Sequence, residues 1–366
     1  MKKTLLTICL VWMCFSLSAQ KIIDLSGKWS FSIDRQDNGE KEKWFSHTLN
    51  DFINLPGSMP EKLKGDEVTA KTQWTGSLYD SSYYYNPYME KYRKEGNIKF
   101  PFFLTPDKHY VGAAWYQKEV NIPADWKGER ILLFLERPHI ETTVWVNGQK
   151  TGMQNSLCVP HQYDITRYVR PGKCTITIRV DNRIKEINVG PDSHSITDQT
   201  QGNWNGIVGR ICLQTTPKTY FDDIQIYPEP EQKLARVKVV IKGTGTAKVK
   251  LSAESFNTDK KHIVPAIQQE IKLNKGVTET EMVLPMGNDM LLWDEFHPAL
   301  YKLKAEVTNG KKTEIKEIQF GMRRFEIKGK WFYVNGRKTQ LRGTVENCDF
   351  PLTGYAPMDV ESWERV

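Results

Sequence analysis

The sequence has few cysteines and histidines, and neither type is arranged for metal binding. The six cysteines among 366 residues are widely spaced: Cys9, Cys14, Cys158, Cys174, Cys212 and Cys348. This spacing is not that of a small disulfide scaffold. The seven histidines include no i, i+4 pair and lie beside no Cys-x-x-Cys motif. We therefore expect free thiols, no metal site and no cofactor.

The sequence also lacks a cluster of basic residues and, beyond its N-terminus, a membrane signal. The formal net charge of +7 is mild and includes Lys2 and Lys3, and the other basic residues are scattered, so we expect no nucleic-acid partner. The apolar stretch at residues 5–15 is short for a membrane anchor. Two lysines before it and a small residue at Ala19 predict a signal peptide at residues 1–19. The chain is thus expected to be secreted or periplasmic.

The sequence does contain a succession of strand patterns in its first half. Residues 131–135 are a continuous apolar block, and residues 142–146 follow it. Asn147 and Gly148 then supply the residue pair that a type I′ hairpin turn prefers, because both positions need a positive φ. Residues 174–180 alternate between apolar and polar side chains. The pattern predicts an antiparallel sheet that is buried on one face.

A second set of strand patterns occupies residues 220–320. The strands are shorter and regularly spaced, and Asn309 and Gly310 mark another hairpin. A turn-like segment at residues 215–217 separates the two sets. About a hundred residues of this kind are typical of an immunoglobulin-like sandwich. No titratable cluster stands out here, so this part is interpreted as a spacer domain.

Between residues 73 and 110 the sequence is unusually rich in aromatic side chains and shows no sustained period. The absence of a period indicates a long loop or insertion. Two interpretations of the rings stay open. They pack the loop onto the sandwich, which we favour, or they stack on the apolar face of a sugar.

Five segments occur in a fixed order: AWYQKEV, ILLFLERPHIETTVWVNG, PHQYDIT, PGKCTITIRVDN and GNWNGIVGRICL. In this order they resemble the N-terminal sugar-binding β-sandwich of glycoside hydrolase family 2, the β-galactosidase, β-glucuronidase and β-mannosidase group. A Leu-x-Gly-x-Trp strand at residues 25–29 and a Trp…Pro-x-Leu-Tyr segment at residues 293–301 extend the resemblance over almost all of the chain beyond residue 19.

The resemblance implies an all-β protein whose domains follow one another along the chain. After the signal peptide come a jelly-roll sugar-binding β-sandwich at residues 20–218 and an immunoglobulin-like β-sandwich at residues 219–321. Residues 322–366 would be the truncated beginning of a catalytic (β/α)₈ barrel. A complete barrel needs about 250 residues.

The resemblance also implies sugar-binding residues. In related enzymes the loop that holds Asn203, Trp204 and Asn205 reaches the mouth of the barrel and contacts the terminal sugar, with Asp198 behind it. A tight turn in which the asparagines are structural is the alternative.

Residues Asn347 and Asp349 follow the predicted first barrel strand, where such barrels carry their functional groups. Asn347 stands where β-galactosidases of the family have a substrate-contacting histidine, so the identity of the sugar stays open.

No catalytic residue is assigned. Retaining hydrolysis needs two carboxyl groups about 5 to 5.5 Å apart. Glu346 and Asp349 are rejected as this pair, because the family takes both glutamates from later barrel strands, one in an Asn-Glu dipeptide that the 366 residues lack.

We therefore expect the N-terminal part of an exported, exo-acting, β-galactosidase-like glycosidase that is inactive by itself. Its partner would be a carbohydrate with a terminal β-linked sugar, it would have no membrane anchor, and its oligomeric state stays open. The alternatives are a non-catalytic carbohydrate-binding β-sandwich protein and a structural sandwich without a ligand.

Overall fold

The computed structural model describes residues 20–75, 82–99, 105–157, 159–185, 197–198, 202–345 and 350–364. The chain divides into two compact units, one that contains residues 217–342 and one that joins residues 21–216 to residues 343–366. The described residues are mostly in strands, with four-residue α-helices at Ser82–Tyr85 (α1) and Val360–Trp363 (α2). No helix in these described ranges is long and apolar enough to cross a membrane.

The unit that contains residues 21–216 is built from two antiparallel sheets. Its strands are β1 (Ile22–Asp24), β2 (Gly27–Asp34), β3 (Asp51–Leu55), β4 (Gly57–Ser58), β5 (Asp66–Glu67), β6 (Lys108–His109), β7 (Ala113–Ile122), β8 (Arg130–His139), β9 (Glu141–Val146), β10 (Gln149–Asn155), β11 (His161–Asp164), β12 (Gly172–Asp181) and β13 (Gly206–Thr216). One sheet has the order β1-β13-β8-β11, with β4 also on β13, and the other has the order β10-β9-β12-β7-β2-β3. β5 and β6 pair separately.

The inner faces of the two sheets share one core. Leu133 and Leu135 of β8 lie in the same buried cluster as Val144 of β9 and Ile176 and Ile178 of β12. Because side chains alternate across a strand, every second residue of each strand points to this core. The turn between β9 and β10 has φ 50° at Asn147 and 76° at Gly148. The hairpin predicted there is confirmed.

The outer face of β12 is less exposed than its alternation predicts. Thr177 and Arg179, which were expected to face water, are buried. A second cluster explains this burial: Trp115 and Trp145 of the same sheet pack with Leu49. The segment that precedes β3 therefore covers part of this face, so these strands are buried on both sides.

The unit that contains residues 217–342 holds one continuous five-stranded sheet. Its strands are β14 (Tyr220–Glu229), β15 (Leu234–Ser255), β16 (Ile263–Pro285), β17 (Tyr301–Asn309) and β18 (Lys312–Phe320). The order is β14-β15-β17-β18, with β16 also on β15. The first half of β15 pairs with β14 and its second half pairs with β17. Since residues of all five strands share one core cluster, the sheet folds around a single core.

Residues 237–241 and 247–253 have the patterns of two separate strands in the sequence, but both segments belong to β15. The register with β16 shifts between Gly243 and Gly245, and φ is 85° at Gly245. A bulge at glycine lets one strand change direction without ending, so the glycines bend the strand where the sequence pattern indicated a break.

The segment predicted to begin the barrel forms a small antiparallel sheet. It consists of β19 (Phe325–Lys328), β20 (Trp331–Val334) and β21 (Arg337–Thr339), and α2 follows later in the chain. Among the described residues of 322–366 there is no pair of parallel strands. The truncated barrel therefore stays a prediction.

Candidate sugar-binding site

The loop at residues 202–205 is held down by backbone contacts along its length. The amide of Asn203 donates to Asp198 Oδ1 at 2.8 Å, and the amide of Met59 donates to the carbonyl of Asn205 at 2.7 Å. At Gly206, where β13 begins, a Cβ atom would lie 2.4 Å from the carbonyl oxygen of Gly57. Only glycine allows the loop to approach β4 this closely.

Asn205 serves the fold of this loop. Its side chain is fully buried. Nδ2 donates to the carbonyls of Gly112 and Val180 at 2.9 and 3.0 Å, and Oδ1 accepts from the Tyr116 hydroxyl at 2.8 Å. Both N–H groups are thus used inside the protein, as the alternative of a structural asparagine predicts. A sugar contact by Asn205 stays a prediction.

Trp204 is the centre of a group of rings. It is 5% exposed. Its ring stacks on His139, with ring centroids 4.6 Å apart and an angle of 20° between the planes. The centroid of the Tyr355 ring lies 5.5 Å from that of Trp204. His139 Nδ1 also donates to the Trp204 carbonyl at 2.7 Å. Burial lowers the pKa of His139 to about 4. The imidazole is therefore neutral at neutral pH, and its proton lies on Nδ1.

Asn203 is the predicted residue that retains unused hydrogen-bonding capacity. Nδ2 donates to Thr75 Oγ1 at 2.9 Å and to the carbonyl of Asn182 at 3.0 Å. Oδ1 is buried and has no hydrogen-bond partner among the described residues. Leaving a buried acceptor unpaired costs about 1–3 kcal/mol, so a hydroxyl group that donated to it would be favoured.

Asp198 connects this loop to the segment around β6. Its Oδ2 accepts from the amide of Thr75 at 2.6 Å and lies 3.3 Å from His109 Nε2. His109 also contacts the ring of Trp74, with centroids 4.7 Å apart. The sequence analysis did not predict His109, which belongs to no motif and lies far from Asp198 in the chain.

Asn203 faces a small cavity of about 20 Å³, which has room for about one water-sized group. Its lining combines polar groups with apolar side chains and comes from four parts of the chain: Met59, Pro60, Pro106, Lys108, Tyr110, Asp198, Gly202, Asn203, Trp204, Phe350, Pro351 and Gly354. We call this space, together with its lining, the Asn203 cleft.

The predicted residues Asn347 and Asp349 lie outside the described residues, as does the rejected Glu346. Phe350, the residue after Asp349, lines the Asn203 cleft. The sugar-binding roles of Asn347 and Asp349 stay predictions. In the described part of the chain, no group of three or more His, Cys, Asp or Glu residues could hold a metal ion.

Two family profiles match the chain in succession. The profile "Glycosyl hydrolases family 2, sugar binding domain" matches residues 22–217, and "Glycosyl hydrolases family 2" matches residues 219–323. The β-glucuronidase of Paenibacillus borealis is 24% identical over 355 residues, which cover 92% of this chain and 51% of that protein. The β-galactosidase large subunit of Latilactobacillus sakei is 23% identical over 350 residues, which cover 93% and 52%.

The fold is also shared with a solved structure. The crystal structure of Ruminococcus gnavus β-glucuronidase matches with a TM-score of 0.64 at 19% identity, over 93% of this chain and 51% of that chain. The chain thus spans about half the length of the curated relatives it matches. Because the sugar-binding profile alone matches more than half of its residues, the chain belongs to glycosyl hydrolases family 2.

Proposed function

We propose that this chain is the N-terminal part of an exported, exo-acting β-glycosidase, and that the Asn203 cleft contacts the terminal sugar of its substrate. The observation that carries the proposal is that Asn203, whose buried Oδ1 has no partner among the described residues, lines a cleft in the sugar-binding domain of a glycosidase family. A sugar hydroxyl can donate to this oxygen. Export is proposed from the signal-like pattern of residues 1–19.

The proposed substrate class is a glycan with a terminal β-linked hexose or hexuronic acid. The relatives named above are a β-glucuronidase and a β-galactosidase, so both sugars are candidates. The β-galactosidase-like assignment rests on the resemblance of the motifs, and Asn347 departs from the histidine of β-galactosidases. A panel of substrates is therefore required to choose between them.

We further propose that the two catalytic carboxyl groups belong to barrel sequence other than these 366 residues. General acid and nucleophile together provide the rate enhancement of a retaining glycosidase, and each must be positioned at the scissile bond. The chain contains no Asn-Glu dipeptide. The Asn203 cleft has room for one hydroxyl group of a terminal sugar, and none of its groups is placed here as proton donor or nucleophile.

The test is an assay of residues 20–366 against aryl β-galactoside, β-glucuronide and β-mannoside. We expect no turnover from this chain. We expect turnover from an in-frame longer chain that contains an Asn-Glu barrel segment, and an Asn203→Ala variant of that longer chain should have a raised KM.

The Glu346→Gln variant is the control for the shorter chain. Turnover by residues 20–366 that this substitution abolished would show that the catalytic residues are misassigned. Glycan binding by residues 20–366 without turnover by any longer chain would instead favour the non-catalytic carbohydrate-binding protein.

A further inference from the structure

Residues 350–355 are folded against the strands of the unit that joins residues 21–216 to residues 343–366 and contains the Asn203 cleft; we call it the sheet unit. The amide of Gly354 donates to the carbonyl of Phe350 at 2.6 Å, which closes a tight turn. The hydroxyl of Ser58, in β4, donates to the carbonyl of Thr353. The hydroxyl of Tyr355 donates to Glu61 Oε2 at 2.8 Å. Both contacts join positions almost three hundred residues apart in the chain.

The same segment contacts Trp204. The ring of Tyr355 packs against the indole. Gly354 lies so close that a Cβ atom would be 2.7 Å from Trp204 Cβ, and its φ is 80°. A side chain at position 354 would therefore have to displace the indole or the turn. Phe350, Pro351 and Gly354 also form part of the wall of the Asn203 cleft.

The Tyr355–Glu61 hydrogen bond joins a neutral donor to a charged acceptor. Burial, reinforced by the nearby Glu61 carboxylate, raises the pKa of Tyr355, so the hydroxyl keeps its proton. Burial opposes the ionisation of Glu61, but hydrogen bonds from Lys62 and Tyr355 outweigh it and lower the pKa of the carboxyl. Hydrogen bonds to charged groups are stronger than neutral ones.

From these contacts we infer that residues 350–355 act as a clamp on the loop 202–205, and that Tyr355 is a positioning residue for the Asn203 cleft. The clamp holds Trp204 from the side of Tyr355 while His139 stacks on the indole. Trp204 directly follows Asn203 in the chain, so a fixed indole restrains the backbone beside Asn203, whose amide is oriented by Thr75 and Asn182. The role of the clamp in sugar binding rests on the proposed function; the clamp itself does not.

The experiment measures amide hydrogen exchange in residues 20–366, in the wild type and in three variants. Tyr355→Phe keeps the ring and loses the hydrogen bond, Tyr355→Ala loses both, and Glu61→Gln keeps an acceptor. We expect exchange at residues 202–206 to accelerate about tenfold in Tyr355→Phe, since a hydrogen bond to a charged group changes local opening by about that factor, and further in Tyr355→Ala. In Glu61→Gln, exchange at residues 202–206 should be no faster than in Tyr355→Phe and slower than in Tyr355→Ala, because glutamine keeps an acceptor for the Tyr355 hydroxyl.

The matched control is Tyr168→Phe, which removes a hydroxyl that hydrogen-bonds to the Lys150 carbonyl in the same unit. It should leave exchange at residues 202–206 unchanged. Peptides from β17, in the unit that contains residues 217–342, should exchange at wild-type rates in every variant. Unchanged exchange at residues 202–206 in Tyr355→Ala, or equal acceleration in β17, would overturn the clamp.

Titration with methyl β-D-galactoside and methyl β-D-glucuronide separates the clamp from the proposed function. We expect a glycoside to slow exchange at Asn203 in the wild type and to lose affinity about tenfold in Tyr355→Ala. Accelerated exchange in Tyr355→Ala together with no glycoside effect on the wild type would uphold the clamp and overturn the sugar-binding role of the cleft.

Discussion

His139 and His161 are buried in the sheet unit, and their imidazole rings are neutral in the folded protein at neutral pH. His139 is 7% exposed and His161 is fully buried. Nδ1 of His161 lies 2.6 Å from Thr142 Oγ1. Burial lowers the pKa of each histidine to about 4. At His139, burial outweighs the Trp204 carbonyl and the charge of Asp198, both of which raise the pKa.

Because the pKa values of these histidines are low, we predict that the protein loses stability in mild acid. An unfolded histidine has a pKa of about 6.5, so the folded state binds fewer protons between pH 6.5 and 4. The stabilisation is therefore complete above pH 6.5 and falls as pH decreases, by up to about 3 kcal/mol for each histidine at pH 4. Denaturant unfolding at pH 7, 5.5 and 4.5 measures this.

The free energy of unfolding of the His161→Gln variant should depend less on pH than that of the wild type. His297→Gln is the control, because the His297 side chain is 82% exposed. An equal pH dependence in the wild type and His161→Gln would refute the assignment for His161.

At the scale of elements, the described part of the aromatic insertion between β5 and β6 contains a buried ring at Tyr83 and several exposed rings. Tyr83 is 2% exposed, and its hydroxyl donates to the carbonyl of Tyr92 at 2.8 Å. Tyr84, Tyr85 and Tyr88 are 54%, 73% and 84% exposed. Packing of rings therefore accounts for Tyr83, and the sugar-stacking interpretation stays open for the exposed tyrosines.

The stability of the insertion should depend on Tyr83 far more than on Tyr88. Tyr83→Ala removes a buried ring, and substitutions of this kind cost about 3–5 kcal/mol. Tyr88→Ala changes an exposed side chain and should stay within about 0.5 kcal/mol. Limited proteolysis measures the difference: cleavage within residues 82–99 should accelerate in Tyr83→Ala and not in Tyr88→Ala. Equal cleavage rates in the two variants would contradict this role of Tyr83.

The limits of sequence reasoning are also visible in the strands. The hairpin at Asn147 and Gly148 was predictable because its signal is local. The continuity of β15 was not predictable. Gly243 and Gly245 interrupt the alternation of apolar and polar residues in the same way whether a strand ends there or bends and continues. The burial of Thr177 and Arg179 was not predictable either, because the cover comes from a segment more than a hundred residues away.

For the whole molecule, the order of five motifs was enough to predict the family, because it spans most of the sugar-binding domain. The motif GNWNGIVGRICL also pointed to Asn203 and Trp204. Glu61, His109 and Tyr355 were not predicted. Each contributes through a partner that is distant in the chain, and such a pair leaves no spacing signal in one sequence.

The sheet unit gains part of its stability from a segment that is distant in the chain. Residues 343–366 belong to the same compact unit as residues 21–216. Removing them exposes Trp204 and leaves Glu61 without its Tyr355 donor. A hydrogen bond to a charged group and an aromatic contact together contribute about 3 kcal/mol.

We therefore expect residues 20–342 to be less stable than residues 20–366 by about 3 kcal/mol in the sheet unit, with no change in the unit that contains residues 217–342. Hydrogen exchange in β8 and in β17 reports on the two units separately. The control is residues 20–356, which keeps the clamp and loses α2, and which should remain within about 1 kcal/mol of the longer chain because α2 contributes one aromatic contact, between Phe350 and Trp363. Equal destabilisation by both truncations, or a loss that appears in β17 as much as in β8, would show that Tyr355 and its neighbours do not stabilise the sheet unit in particular.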